Sequence, residues 1–237
     1  MKLGIMQPYF VPYLGYWQLM NAVDQYVIYD DVNYIKGGWI NRNRILSNGK
    51  PVYFNLPVIG ASPNKHINEI QVNINEKGME KCLKTIQGCY SKAPQFDNIY
   101  PIMESIMLYK EENLAKFIKH SFEIICEYLD ISTQLILSSE LNKNVDLKAQ
   151  DKVIHICEIL QADEYYNAIG GQKLYSFDEF RNHGVELSFL KTNMKEYKQF
   201  KNEFVSGLSI IDLLMFNSKH ECKTMLNDFE LFGANYE

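Results

Sequence analysis

The side chains best suited to chemistry sit in three stretches, the first being Gln7-Pro8-Tyr9-Phe10-Val11-Pro12-Tyr13-Leu14-Gly15-Tyr16-Trp17-Gln18-Leu19. Two prolines stiffen it. Gly15 admits close approach of backbone or ligand at the start of a helix, whose first N–H groups favour an anion. Gln7, Tyr9, Tyr13 and Tyr16 are candidate binding groups. A phenol donates a hydrogen bond to phosphate, carboxylate or sugar oxygens. With an ordinary pKa of about 10 it does not become a cation near neutral pH as imidazole does. The same tyrosines also suit a core with satisfied hydroxyls.

The second stretch adds charge. Asn33–Lys50 holds Lys36, Arg42, Arg44 and Lys50 and no Asp or Glu, a local +4 in a chain of net charge −5. A compact basic segment in an acidic protein suits one small anion rather than a nucleic acid. In Trp39-Ile40-Asn41-Arg42-Asn43-Arg44 the types alternate. As a strand it puts Asn41 and Asn43 on one face and Arg42 and Arg44 on the other. Two arginines on one face could fork a diphosphate; the alternative is an edge strand guarded by charge. Trp39 belongs to an aromatic-rich region: 11 of the 31 aromatics, both tryptophans included, fall between Tyr9 and Phe54. Such flat faces stack on sugars and bases, and they also build cores.

Carboxylates come next. Asp30 and Asp31 end an apolar run, where they could accept sugar hydroxyls. Adjacent side chains on a strand diverge, which makes a shared metal a weak reading. The third stretch runs from Tyr197-Lys198-Gln199 to Leu208–Asn217. Ser209 with Asp212 three residues later resembles a capping box, yet Asp212 stands among apolar neighbours and needs a partner if buried. Asp212 and Asp30 are the candidate bases, Tyr13 joins them as a candidate catalytic group, and Gln199 is a candidate substrate contact. Asp151 with His155 and Glu179 with His183 read as ion pairs on a helix face. The five cysteines are scattered with no CxxC pair. No metal and no disulfide scaffold is expected.

Elements must position these groups. Lys2–Met6, Leu14–Val23 and Tyr26–Tyr29 read as strand, helix and strand, a βαβ unit with parallel strands. Val52–Val58 and His66–Ile74 read as strands about a Gly60–Asn64 turn. Glu76–Ser91 and Tyr100–Leu129 read as helices broken near Ala93-Pro94, and Thr133–Leu137 as a core strand. Ala149–Leu160 into Glu164–Asn167 repeats the strand-helix-strand pattern. A Gly170-Gly171 break, a helix at Phe177–Arg181 and a strand at Glu186–Leu190 follow, and Ser209–Leu231 reads as mostly helical. The expected fold is one α/β domain over residues 1–237, with a mostly parallel sheet and a helical appendage near 203–237. With 46% hydrophobic and 22% charged residues, collagen, coiled coil and a disordered chain are excluded. No apolar run reaches membrane-spanning length, and Gln7-Pro8 ends the apolar start too early for a signal peptide, so a cytoplasmic protein is expected.

Two resemblances sharpen these expectations. Nucleotidyl-transferring enzymes with the HxGH signature place strand, His-x-Gly-His loop and helix where this chain has Tyr13-Leu14-Gly15-Tyr16. The likeness implies a Rossmann-like nucleotide cleft without the two histidines. Gln7–Leu19, Tyr29–Leu46, Ile169–Phe180 and Tyr197–Asn217 together resemble the WbqC-like family over nearly the whole chain. That resemblance implies a role in bacterial surface-polysaccharide (O-antigen-type) biosynthesis. The activity it suggests is transfer of an acyl or aminoacyl group to a nucleotide-linked amino sugar. On this reading Lys36, Arg42 and Arg44 hold the diphosphate. Gln7, Tyr9, Tyr13, Gly15, Tyr16, Trp39, Asn41 and Gln199 shape the site, and the donor is a carrier-protein or CoA thioester. An acyl carrier protein or a glycan-pathway enzyme is the expected partner. The alternatives are a nucleotide or sugar-nucleotide binder without chemistry, or a scaffold for glycan-assembly enzymes.

Overall fold

The computed structural model of the chain describes residues 1–201 and 203–234. Its first half contains β1 (Lys2–Met6), α1 (Leu14–Asn21), β2 (Gln25–Ile28), β3 (Arg42–Ser47), β4 (Lys50–Asn55), β5 (Val58–Ile59), β6 (Gln71–Val72), α2 (Glu76–Tyr90) and α3 (Phe96–Met107). The second half contains α4 (Leu114–Leu129), β7 (Gln134–Leu137), α5 (Ala149–Ile159), β8 (Glu164–Ala168), α6 (Phe177–Asn182), β9 (Glu186–Thr192), α7 (Ile210–Phe216), α8 (Lys219–Leu226) and β10 (Phe229–Gly233).

The central sheet runs β10-β9-β8-β1-β2-β7. β1 pairs parallel with β2 in the register Gly4↔Tyr26, and β2–β7, β1–β8 and β8–β9 are also parallel. The chain adds β2 and β7 on one side of β1, then returns to add β8 and β9 on the other. The order therefore reverses between β1 and β8, the place where open α/β sheets leave a crevice at their carboxyl ends.

Both sheet faces are covered, which is why β1 and β2, after Lys2 and Gln25 at their starts, run apolar rather than alternating. Leu3, Ile5, Val27, Leu187 and Phe189 pack with Val153, Ile156 and Phe180 from α5 and α6. Tyr26, Ile28, Tyr166 and Leu190 pack on the opposite face with Trp17 of α1 and Phe122 of α4. Gly4 fits between these layers because a Cβ there would lie 3.0 Å from the Tyr26 ring.

Several elements differ from the sequence expectation. Val52–Val58 is not a lone strand: β4 folds back antiparallel on β3 through Asn48-Gly49, whose φ values of 49° and 74° suit a tight hairpin turn. His66–Ile74 is strand only at Gln71–Val72, because the Glu69 carboxylate accepts the His66 N–H at 2.6 Å and closes a 3₁₀ turn. The helix expected over Tyr100–Leu129 splits into α3 and α4, where Asn113 caps α4 by accepting the Lys116 N–H. The C-terminal part contains α7 and α8 and then returns to the sheet: β10 pairs antiparallel with β9, burying parts of Phe229 and Leu231 on one face and Phe232 on the other. Residues 235–237 of the expected appendage lie outside the described residues. Among the described residues no helix is long and apolar enough to cross a membrane, and no group of three His, Cys, Asp or Glu could hold a metal.

Candidate functional site

The Gln7–Tyr13 loop leaves β1 at the reversal point and is clamped from three sides. Phe10 N–H donates to the Ile40 carbonyl at 3.1 Å, and the Asn43 amide donates back to the Phe10 carbonyl at 3.1 Å. Ser209 Oγ donates to the Val11 carbonyl at 2.6 Å, and Ile210 N–H to that of Pro12 at 2.8 Å. Trp17 Nε1 donates to the same Pro12 carbonyl at 3.1 Å. Val11 sits at φ 40°, a region costly for a β-branched residue, so these bonds hold a strained turn in place. The loop is thereby fixed before any ligand arrives.

Behind the loop opens a cleft of about 740 Å³, lined by Gln7, Tyr9, Tyr13, Gly15, Tyr29 and Trp39 on one side. Asn167 to Gly171, Leu174, Tyr175, Lys191 and Thr192 line the other, so the cleft spans the carboxyl ends of β1, β8 and β9. Gly15 is buried, and a Cβ would fall 2.4 Å from Thr192 Oγ1 and 2.8 Å from the Tyr13 ring. The close approach that this glycine permits is thus helix against strand. Burial pushes the Tyr9 and Tyr13 phenols above their ordinary pKa, and a neighbouring phenol adds to the shift at Tyr13. Both remain hydrogen-bond donors near neutral pH. Tyr16 is different: fully buried, it donates to the Gln7 carbonyl at 2.8 Å and leans on Tyr9 and Tyr26, so it supports the loop from below.

A side pocket of about 250 Å³ adjoins the cleft through Tyr9, Tyr13 and Trp39, and Asn43, Arg44 and Gly207 complete it. Arg44 is half-buried. Its Nη2 donates to the Gly207 carbonyl at 3.2 Å, and its guanidinium lies 5.6 Å from the Trp39 ring centre. Its Nε has no hydrogen-bond partner, and among the described residues no carboxylate pairs with it. Arg42 shares the strand face, as the alternation predicts, but its guanidinium is held by other groups. It donates to the Gly38 carbonyl at 2.9 Å and to that of Gly37, and stacks 4.4 Å from the Tyr53 ring centre. The two arginines do not converge on one pocket. Lys36 is exposed on the turn before them. Asn41 is spent on structure, accepting from Tyr34 Oη at 2.7 Å and donating to the Leu56 carbonyl at 2.9 Å.

Neither candidate base lines the cleft. Asp212 is fully buried in the first turn of α7, where its carboxylate accepts from Tyr90 Oη at 2.9 Å, Tyr197 Oη at 2.7 Å and Gln199 Nε2 at 2.6 Å. Burial raises its pKa against these donors. Gln199 is buried in the same network and clips its own segment by bonding both the carbonyl and the N–H of Val205. The apolar neighbours of Asp212 thus mark a sealed polar knot. It ties Tyr90 of α2, Tyr197, Gln199 and Val205 to α7, whose first residues hold the loop. Asp30 is buried too, accepting from Ser139 N at 2.9 Å and Ser139 Oγ at 2.6 Å.

Sequence reasoning missed half of the cleft. Asn167, Gly170, Gly171, Tyr175 and Thr192 come from the ends of β8 and β9, more than 150 residues after Gln7. One signal was present: the Gly170-Gly171 pair after a strand, inside a stretch already noted for its resemblance. A Cβ on Gly170 would meet nothing within 4 Å, and no positive φ requires glycine there. Neither packing nor backbone conformation explains it, and it borders the cleft.

Comparison with known proteins places this geometry in a family context. The relative "Uncharacterized protein Rv1507c" of Mycobacterium tuberculosis (strain ATCC 25618 / H37Rv) is 27% identical over 216 residues, covering 90% of this chain and 92% of that one. No solved structure matches. The profile of the WbqC-like protein family matches residues 7–224, which takes in the clamped loop, the arginine pocket and both halves of the cleft; the chain belongs to the WbqC-like protein family.

Proposed function

We propose that the cleft binds a nucleotide sugar and that the protein is a cytoplasmic transferase of surface-polysaccharide biosynthesis, acylating or aminoacylating a nucleotide-linked amino sugar. The observation that carries this reading is Arg44: a half-buried guanidinium without a carboxylate partner among the described residues, in a side pocket that adjoins an aromatic-walled cleft. An uncompensated guanidinium in such a place favours a bound anion. Tyr9, Tyr13 and Trp39 offer flat faces and phenolic donors to a sugar or base beside it. The reversal of strand order at the cleft supports a nucleotide-type crevice, with Tyr13 rather than a histidine at its edge.

In this reading Gln7, Tyr9 and Tyr13 orient the sugar, Arg44 takes the phosphate, and Arg42 and Lys36 add longer-range attraction. Transfer from a thioester to an amine depends chiefly on positioning and on one proton acceptor. Asp30 and Asp212 stay outside the cleft lining, so as the C–N bond forms and the C–S bond breaks the departing thiolate takes the amine's proton, directly or through water. That same feature favours a second reading, a sugar-nucleotide binder without chemistry, because no carboxylate or imidazole is among the described residues lining the cleft.

Thermal-shift screening against nucleotide amino sugars tests the shared part. A ligand at a hundred times its dissociation constant adds about 2.7 kcal/mol of stability. Mass spectrometry of the bound sugar after adding an acyl thioester then separates transferase from binder. Absence of any shift across the panel overturns both.

A further inference from the structure

Two buried lysines lie beyond the cleft on the same edge of the sheet. The Lys143 and Lys152 side chains are 2% and 9% exposed, and each Nζ lies 3.0 Å from the same oxygen, Asp31 Oδ2. The two nitrogens are therefore no more than 6.0 Å apart, the sum of those distances. One carboxylate does not neutralise two ammonium groups. Asp30, the neighbouring residue, directs its oxygens to the Ser139 N–H and hydroxyl rather than to either lysine. Burial alone would raise the Asp31 carboxyl, but the Ser138 hydroxyl together with Lys152 and Lys143 outweighs it and holds the group below its ordinary value. The triad keeps an excess positive charge where water screens it poorly, an arrangement that an anion would relieve.

The triad faces a cavity of about 560 Å³ at the carboxyl ends of β2 and β7, lined also by Tyr29, His66, Ser139 and Lys148. Asp31 is the only acid among the described residues that line it, against three lysines. Tyr29 lines both this cavity and the main cleft, and its ring centre lies 5.1 Å from Lys152 Nζ.

We infer that this cavity is a second anion site, separate from the Arg44 pocket, that takes a phosphate group. Three ammonium groups about one hollow suit the several oxygens of a phosphate, each able to accept a charge-assisted bond. The site places a phosphate-bearing ligand across Tyr29 from whatever fills the main cleft, and does not depend on what that is.

Calorimetric titration of inorganic pyrophosphate at low salt into the Arg44→Ala protein isolates this site from the first. Binding should persist there, and Lys148→Gln or Lys152→Gln added to that background should weaken it roughly tenfold or more, the loss expected for one charged hydrogen bond. Asp31→Asn should tighten it several-fold by removing the one repelling charge, a gain that a purely structural triad would not produce. Lys148 is exposed, so its variant keeps the test open if the Lys152 variant does not fold. Parallel titrations with UDP and coenzyme A tell a nucleotide phosphate from that of an acyl carrier group. Loss of pyrophosphate binding in Arg44→Ala alone, or indifference to the Lys148, Lys152 and Asp31 changes, overturns the inference and leaves the reading of the cleft standing.

Discussion

The Ser209 hydroxyl meets the Val11 carbonyl at 2.6 Å, joining residues 198 positions apart in the chain. The same hydroxyl accepts the Ile211 N–H at 3.2 Å, so a single side chain starts α7 and holds the strained loop. Ser209→Ala removes both bonds from a fully buried position. It should cost about 1–2 kcal/mol of stability. A urea midpoint that falls with an unchanged m-value would show it, and ligand binding at the cleft should weaken in step as the loop loosens.

Arg44 and Arg42 share a strand face but not a pocket, which separates their expected effects. Arg44→Ala should weaken a phosphate-bearing ligand of the cleft about ten- to a hundredfold, as loss of a hydrogen bond to a charged group implies. Arg42→Ala should weaken it far less. Arg44→Lys should recover part of the loss, since the point charge stays and the fork goes. Titration of both Ala variants, with the fold confirmed by circular dichroism, checks the order; equal losses would return the two arginines to one site.

Gly15 and Gly170 both border the cleft and should respond in opposite ways. A methyl group at Gly15 would meet Thr192 Oγ1 at 2.4 Å, whereas at Gly170 it would meet nothing within 4 Å. Gly15→Ala should therefore destabilise by about 1–3 kcal/mol, and Thr192→Ala in the same chain should restore part of it. Gly170→Ala should leave stability within about 0.5 kcal/mol and weaken cleft ligands by filling their space. Thermal melts with and without ligand separate the two cases.

Asp212 gives a pH dependence with a definite sign. Burial raises its pKa in the folded protein above the ordinary carboxylate value. The folded state then binds the proton more tightly than the unfolded one. This contribution is fully present below the unfolded pKa of about 3.9 and is lost as pH rises through the higher folded value. Urea midpoints across that window should fall less steeply with pH for Asp212→Asn than for the parent. The variant should also be less stable overall, because its amide presents a donor to the Gln199 donor. Parallel pH profiles would remove Asp212 as the source.

Local information carried much of the architecture. Lys2–Met6 and Tyr26–Tyr29 are legible as buried strands because both faces of each must be largely apolar, and the second forms one residue earlier, at Gln25–Ile28, parallel to the first. The alternation in Asn41–Arg44 is legible for the same reason, and Arg42 and Arg44 do share a face. Local sequence does not say where a guanidinium goes next. Arg42 is absorbed by Gly37 and Gly38, a few residues away, whereas Arg44 meets Gly207, brought from the far end of the chain.

What only the tertiary structure decided follows from that distinction. Asp212 reads as a base or a cap until Tyr90, Tyr197 and Gln199 close around it. The lysine pair at Asp31 is invisible in sequence because Lys143 and Lys152 reach it from β7's loop and α5. The second wall of the cleft comes from β8 and β9 because the chain returns to β1 on its free side. By itself the sequence determined which runs must be buried, which segment is basic and which family the chain resembles, since composition and period are local properties. Partnership is not local: whether a charge is spent on the fold or left for a ligand depends on groups that meet only when the sheet is assembled.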